Sequence, residues 1–481
     1  MERFADREHV MHTLKTVLCV AALLVFAGCA VGPDFKSPEK KMPADWQGID
    51  NATAHQPSAA VALPVVHIAW WQTFNDPVLT RLVEQALAAN LDLKIAESRV
   101  RQARAARTIA GADLWPQLDA AGSYTRSHPN QLSAAEQGQR VDLFQAGLDA
   151  AWELDFFGGT RRNVEAATAD IQAAEEDRRD VMVTLAGEVG TTYLSLRGYQ
   201  QQIEIAKKNL AAQEHTAEIT RKRYEAGLAN GLDMANALGQ AASTRAQIPV
   251  LETAAQQAIY SLSVLLALEP AALVAELAPV GLIPAEPAEI PVGLPSDLVR
   301  RRPDIRRAEA QLHAATASIG IATADLFPRF FLTGSFGERG DEWQTLGNSR
   351  NHFWSVGPSI TWPVFAAGRI TANIKVQNEL QKQALAAYDK TVLTALKDVE
   401  NALTSYAKEQ QHHAALIEAV TNGRKAVDIS TRLYKAGRSD FLNVLVSQRA
   451  LFAYEEAWVQ SSRKLATDLV ALYKALGGGW E

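Results

Sequence analysis

Residues 392–406 read V-L-T-A-L-K-D-V-E-N-A-L-T-S-Y, and in them Val392, Leu396, Val399, Leu403 and Tyr406 recur at alternating steps of four and three. That spacing keeps one apolar stripe facing a partner helix over many turns. The stripe lies inside Ala366–Gly437, 72 residues (437 − 366 + 1) without a proline, which reads as one uninterrupted helix. At ~1.5 Å per residue it is on the order of 100 Å long, against ~11–12 residues for an average globular helix. Tyr434-Lys435-Ala436-Gly437 ends it, glycine supplying the left-handed residue, and Asp440 is a suitable N-cap for the helix that follows.

Before this helix the period changes to two. Trp354, Val356, Ile360 and Trp362 alternate with Ser355, Gly357, Ser359 and Thr361, and Phe330–Gly337 reads as the preceding strand. The same order occurs earlier in the chain. Phe144, Ala146, Leu148, Ala150, Trp152 and Leu154 alternate with polar or small residues, Leu118–Ser127 is the strand before them, and a proline-free helix follows from Gly158-Gly159 to Gly227. Ala112-Asp113-Leu114-Trp115-Pro116 matches Ala324-Asp325-Leu326-Phe327-Pro328 at an offset of 212 (324 − 112). The seam Met182, Ala186, Val189, Tyr193 and Leu196, and Tyr224-Glu225-Ala226-Gly227, match their later counterparts at 210 (437 − 227). The chain is therefore an internal two-fold repeat, each half being helix, strand, loop, strand, long helix, tip, helix.

The flanking segments read differently. Lys15, the apolar run Val17–Phe26 and Ala27-Gly28-Cys29 have the form of a lipoprotein signal, with Phe26 where leucine is usual and Met11 as an alternative start. Cys29 is then the lipidated residue, and cleavage removes the other cysteine, Cys19, so disulfides do not hold the fold. Ala30, in place of an aspartate, favours sorting to the outer membrane. The expected organisation is a signal peptide at 1–28, a lipid-anchored extended tether at 29–69, a first repeat at 70–269, a proline-rich connector at 270–295, a second repeat at 296–476 and a frayed tail at 477–481. Within the first repeat Asn75-Asp76-Pro77 starts a helix to about Ala89, Leu91–Gly111 is a second, and Pro249 bends the helix that begins near Leu232. His128–Arg140 is the polar loop between the first two strands.

The 481 residues are 47% hydrophobic and 21% charged with a net charge of −6, and no basic block appears, which argues against a nucleic-acid partner. After residue 30 no apolar run is long enough for a transmembrane helix. Four strands with one apolar face cannot span a membrane alone, because open edges leave backbone groups unpaired in hydrocarbon. Copies of the chain must close them. Two copies give eight strands and a filled interior; three give twelve and room for a passage. Ser355, Gly357, Ser359, Gly147 and Ala151 suit a lumen, and Trp152, Trp354 and Trp362 suit interfacial girdles. A soluble sandwich is the competing reading of the strands, and it leaves the long helices unexplained.

Cys29-Ala30-Val31-Gly32-Pro33-Asp34-Phe35, Trp70-Trp71 with Phe74-Asn75-Asp76-Pro77, Trp152-Glu153-Leu154-Asp155, and Arg301-Arg302-Pro303-Asp304-Ile305 followed by Ala324-Asp325-Leu326-Phe327-Pro328 resemble the outer-membrane efflux lipoproteins of the TolC/OprM type, NodT subfamily. The resemblance covers essentially the whole chain. It implies a mainly α fold with a membrane β-barrel portion: a homotrimer with four strands and long tunnel helices per protomer. It also implies a periplasmic adaptor, an inner-membrane pump of the resistance-nodulation-division class and outer-membrane lipid as partners, with no cofactor beyond the lipid on Cys29.

The resemblance places the periplasmic gate at the helix tips. Leu442 stands where the family carries a constricting leucine, with Asp440 and Asn443 beside it and Leu232 and Asp233 in the first tip. Val446 replaces an aspartate common in these tips, so an apolar constriction is expected in place of an acidic ring. Gly227, Gly437 and Arg438 are the expected adaptor-docking positions, the two glycines serving equally well as simple C-caps. Arg301-Arg302-Pro303-Asp304 reads as a structural helix start with proline at N1. No enzyme motif is present, no metal site is expected, and the adjacent His412 and His413 point apart on a helix. The other functions compatible with the sequence are a non-conducting periplasmic tether and the exit duct of a one-step protein secretion system.

Overall fold

A computed structural model describes residues 30–47, 59–61, 69–128, 141–285, 287 and 289–480. The signal segment, Cys29 and most of the first strand-connecting loop lie outside these residues. Among the described residues fifteen α-helices and β-strands follow in order: β1 (Ala59–Val61), α1 (Pro77–Ala89), α2 (Leu91–Ala112), β2 (Gln117–Ser127), β3 (Val141–Leu154), α3 (Gly159–Glu225), α4 (Gly231–Leu265), α5 (Val274–Leu277), β4 (Glu289–Pro291), α6 (Leu298–Arg301), α7 (Pro303–Ala324), β5 (Arg329–Gly340), β6 (His352–Thr361), α8 (Arg369–Lys435) and α9 (Phe441–Ala475). Helix accounts for 68% of the described residues. Both long helices contain 67 residues, and α4 and α9 both contain 35.

The chain divides into two compact units, each built from three separate segments. The first holds the described residues up to 38, with 99–174 and 307–388. Its centre is a four-stranded antiparallel sheet in the order β2-β3-β5-β6, which leaves β2 and β6 as open edges. Residues 30–35 are extended but packed. The Val31 amide donates to the Phe157 carbonyl (3.0 Å), the buried Arg162 guanidinium donates to Asp34 Oδ1 (2.6 Å) and to the Val31 carbonyl (3.2 Å), and the Phe35 ring stacks on His313 (4.4 Å).

The second unit holds 39–98, 175–306 and 389–481. Here the sequence seams become core: Val392, Val399, Leu403 and Tyr406 on α8, and Ala186, Val189, Tyr193 and Leu196 on α3, are all buried. Asp76 caps α1, accepting from the Val78 and Leu79 amides (2.8 and 3.0 Å), and its other oxygen accepts from the Tyr193 hydroxyl (2.7 Å). Trp70, fully buried, stacks on Tyr473 at 5.9 Å. Gly190 makes room for it, since a Cβ there would lie 2.5 Å from the indole. Pro249 sits inside α4 without interrupting it.

The proline-rich connector contains α5 and β4, and β4 pairs in parallel with β1. One expectation is corrected: the C-terminal segment is not frayed. Gly477 and Gly479 adopt positive φ (78° and 107°), and the Trp480 ring packs against the guanidinium groups of Arg179 (4.7 Å) and Arg306 (5.5 Å) in two cation–π contacts.

Candidate functional site

Two surfaces carry the chemistry, the faces of the sheet and the turns that join the long helices to their partners. In the sheet, the strand register sets apolar residues beside apolar residues on one face. Leu118, Ala120, Gly122 and Tyr124 of β2 stand beside Ala150, Leu148, Ala146 and Phe144 of β3. Leu148, Ala150, Trp152 and Leu154 stand beside Phe336, Gly334, Leu332 and Phe330 of β5, which stand beside Trp354, Val356, Pro358 and Ile360 of β6. The opposite face is mostly hydroxyl, charged and small side chains, with Leu143, Phe331 and Phe353 as its large apolar members, and Ser335 and Ser355 share a hydrogen bond on it at 2.7 Å. Large side chains of the apolar face, Leu118, Phe336, Trp354, Val356 and Ile360 among them, are exposed in the protomer. Water is a poor solvent for such a surface, and its extent fits lipid: from Trp354 to Trp362 the chain rises ~26 Å, about 20 Å along the membrane normal at the usual strand tilt, within the apolar band of a membrane barrel. Trp152 and Trp362 lie at the helix end, where their indole N–H groups donate to the Leu114 and Leu326 carbonyls (both 3.0 Å), while Trp354 lies toward the other end.

The two tips share one turn geometry. Gly227 (φ 73°) and Gly437 (φ 68°) each donate to the carbonyl three residues back (2.9 and 3.0 Å). The next residues, Leu228 and Arg438, donate to Arg223 and Leu433 (2.7 and 2.9 Å), a Schellman motif. A Cβ on either glycine would meet nothing within 4 Å, so the left-handed backbone alone selects glycine. Gly437→Ala is therefore expected to loosen the turn by about 1–2 kcal/mol, read as faster amide exchange at Gly437 and Arg438 with unchanged exchange in the middle of α8.

Packing separates the two tips. In the second, Tyr434, Phe441, Val444 and Leu445 form a buried core with Ala217 and Ala237. Arg223 lies over the Tyr434 ring (4.7 Å) and donates to its carbonyl (3.0 Å). Phe441 meets Tyr434 edge to face at 5.6 Å. In the first tip Tyr224 is exposed, because Gly231 stands where Phe441 stands in the second. Outward from the core, Leu442 (61% exposed) and Val446 (56%) lie one turn apart on one stripe of α9, and Leu232 is equally exposed on α4. Asp440 occupies the N-cap position of α9, but its carboxylate makes no capping bond; in the first tip Asn230 does cap, accepting from the Asp233 amide (2.8 Å). Asn443 donates to Ser439 Oγ (2.9 Å), and Arg438 is exposed.

Sequence reasoning missed the buried charges that join helices. Glu455 accepts from Arg424 on α8 (2.8 Å) and Asn209 on α3 (2.9 Å), and nothing in its spacing announces this. His413 bonds Ser462 (2.9 Å) and packs along Trp458. Burial pushes its pKa below the ordinary histidine value, as suits a packed neutral ring. Among the described residues no cluster could hold a metal ion, and no helix is long and apolar enough to cross a membrane.

Comparison with known proteins identifies the family. The family model described as "Outer membrane efflux protein" matches residues 82–268 and 294–478. The pyoverdine export outer membrane protein OpmQ of Pseudomonas aeruginosa is 34% identical over 476 residues, covering 98% of each chain. Nodulation protein T of Rhizobium leguminosarum bv. trifolii is 32% identical over 459 residues, covering 95% of this chain and 96% of that one. The solved outer-membrane channel OprN superposes with a TM-score of 0.88 at 36% identity, over 94% of this chain and 100% of its own. Family members are trimeric channels that work with adaptor proteins and inner-membrane pumps, and they are not enzymes. A sheet with one lipid-suited face and two open edges, beside paired long helices, is what such a channel requires of one protomer, and the chain belongs to the outer membrane efflux protein family as a channel of the TolC/NodT type.

Proposed function

We propose that the chain is a lipid-anchored exit duct for small solutes, acylated on Cys29, paired with a periplasmic adaptor and a pump of the resistance-nodulation-division class, and closed at rest by an apolar constriction at its helix tips. The observation that carries the reading is the exposed apolar stripe of Leu442 and Val446 set on a buried core, with the polar Asn443 and Arg438 also exposed and the carboxylate of Asp440 making no capping bond beside them. Leu232 and Asp233 form the matching part of the first tip, and Gly227, Gly437 and Arg438 form the turns an adaptor would meet. Trp152 and Trp362 would mark one interfacial girdle and Trp354 the other. The sequence match to a pyoverdine exporter supports a small solute as cargo in preference to an unfolded protein.

The test is planar-bilayer recording of purified trimer, with palmitate labelling of the parent chain and Cys29→Ser in cells. Small, rare openings in the parent and label lost with Cys29 are the expected results. Silence from every tip variant would favour a non-conducting tether, and equal labelling of Cys29→Ser would move the anchor elsewhere.

A further inference from the structure

The open edges of the sheet can be paired residue by residue from the internal repeat. In the first hairpin Gln117 faces Ala151, and in the second Arg329 faces Thr361. First strands are thus related by 212 (329 − 117) and second strands by 210 (361 − 151), the two offsets already present in the sequence. The indole-to-carbonyl bonds from Trp152 to Leu114 and from Trp362 to Leu326 obey the same pair of offsets. So do the left-handed glycines Gly158 and Gly368, which open α3 and α8. The two hairpins are structurally equivalent, and within the protomer they join through β3 and β5, where Ala150 faces Gly334 and Ala151 faces Thr333.

We propose that β6 of one copy pairs antiparallel with β2 of the next in the register this repeat dictates: Ile360 (150 + 210) opposite Gly122 (334 − 212), and Thr361 opposite Ala121. The occupant of both edges is a second copy of this chain, so the reading rests on the trimeric channel described above and adds to it the alignment of the joint. Three observations support it. Face parity is kept, since Ile360 and Gly122 lie on the apolar face and Thr361 and Ala121 on the other. Size is complementary: Trp362 falls opposite Ala120 and Ile360 opposite Gly122, large against small. The exposed side chains at the helix end of each edge gain a neighbour. Trp115 (72% exposed) is the counterpart of Phe327, which stacks on Phe157 at 4.5 Å inside the protomer; the counterpart of Phe157 is Ala367 (157 + 210), two residues after the exposed Phe365 (88%). With four strands per copy, one joint used three times closes twelve strands and leaves no edge.

Disulfide trapping tests the register. Gly122 of one copy aligns across β3 and β5 with His352, so Ile360 lies three strand spacings away and eight residues (360 − 352) further along, about 30 Å in all, too far for a disulfide. A bond between cysteines placed there therefore joins two copies. Consecutive facing pairs alternate between wider and narrower Cα separations, so the double variants G122C/I360C and A121C/T361C are made together, with A120C/I360C, displaced by two residues, as the comparison. On non-reducing gels of the oxidised trimer, at least one of the first two is expected to run as covalent dimers and trimers, at least tenfold more than the displaced pair. The mature parent chain, from which Cys19 is cleaved and in which Cys29 is acylated, is expected to run as a monomer band on the same denaturing gels. Preferential trapping of the displaced pair, or none from any pair in a sample that light scattering shows to be trimeric, overturns the register. A sample that is not trimeric at all overturns the channel reading instead.

Discussion

Arg302→Ala is expected to destabilise the folded protein by about 3–5 kcal/mol, the cost of removing one partner from a buried ion pair. The Arg302 side chain is 11% exposed, and its fork holds three helices. Nε and Nη2 donate to the two oxygens of Asp304 in the first turn of α7 (3.0 and 2.7 Å). Nη1 donates to the carbonyl of Ala475, the last residue of α9 (2.9 Å), and Nη2 lies 3.5 Å from Asp398 on α8. Alanine leaves two carboxylates facing one another and strips a helix-terminal carbonyl of its donor. Lysine restores the charge but not the planar fork, so Arg302→Lys should fall between the parent and alanine. Thermal unfolding of the purified trimer ranks the three, and amide exchange at 476–480 should rise most in alanine, because Arg302 also underlies Gly477. A loss below about 1 kcal/mol, typical of an exposed pair, would refute the buried-clamp account. The family resemblance carried by Arg301-Arg302-Pro303-Asp304 is thereby given a physical reason: Pro303 starts the helix, and Arg302 welds its start to two others.

How much of this was legible in the sequence depends on whether a feature repeats. The seams of α3 and α8 and the strand faces follow from periodicity. The hairpin equivalence follows from two offsets that the register of the sheet reproduces residue for residue. Features made once leave no pattern. The three-residue pair β1–β4 is too short for any period, and the Trp480 contacts depend on two arginines 127 residues apart (306 − 179). The two tips show the limit most clearly. Tyr-x-Ala-Gly occurs in both, yet only Tyr434 is buried, because Phe441 offers it a ring edge where the first tip has Gly231. A motif fixes the turn; the residue four positions beyond its glycine decides what the turn packs against. Leu442 was placed at the tip by resemblance, and its outward orientation comes from its neighbours: Phe441, Val444 and Leu445 occupy the inward positions of the same helix turn.

That orientation makes Leu442→Asp the variant with the largest expected functional effect, at little cost to the fold. Phe441→Ala would empty the tip core and cost about 3–5 kcal/mol, whereas Leu442 contributes nothing to that core and can change without unfolding it. If three tips converge, each variant chain places a carboxylate in an apolar constriction. Two charges ~7 Å apart at an effective dielectric of about 20 repel by roughly 2 kcal/mol, and three copies make three such pairs. Desolvation adds to the penalty. A closed state raised by about 4 kcal/mol or more corresponds to a shift of roughly a thousandfold toward open. Frequent long openings in planar bilayers and increased uptake of antibiotics by cells are therefore expected, with Leu442→Ala in the same direction but far weaker, since it removes contacts and adds no charge. The effect carries its own signature. Salt should restore part of the closure by screening. Acid should restore it too, because three clustered carboxylates have pKa values raised above the free aspartate value, and protonating them returns a neutral seal. Conductance in Leu442→Asp equal to that of the parent, at every pH and salt concentration, would place the gate away from this stripe.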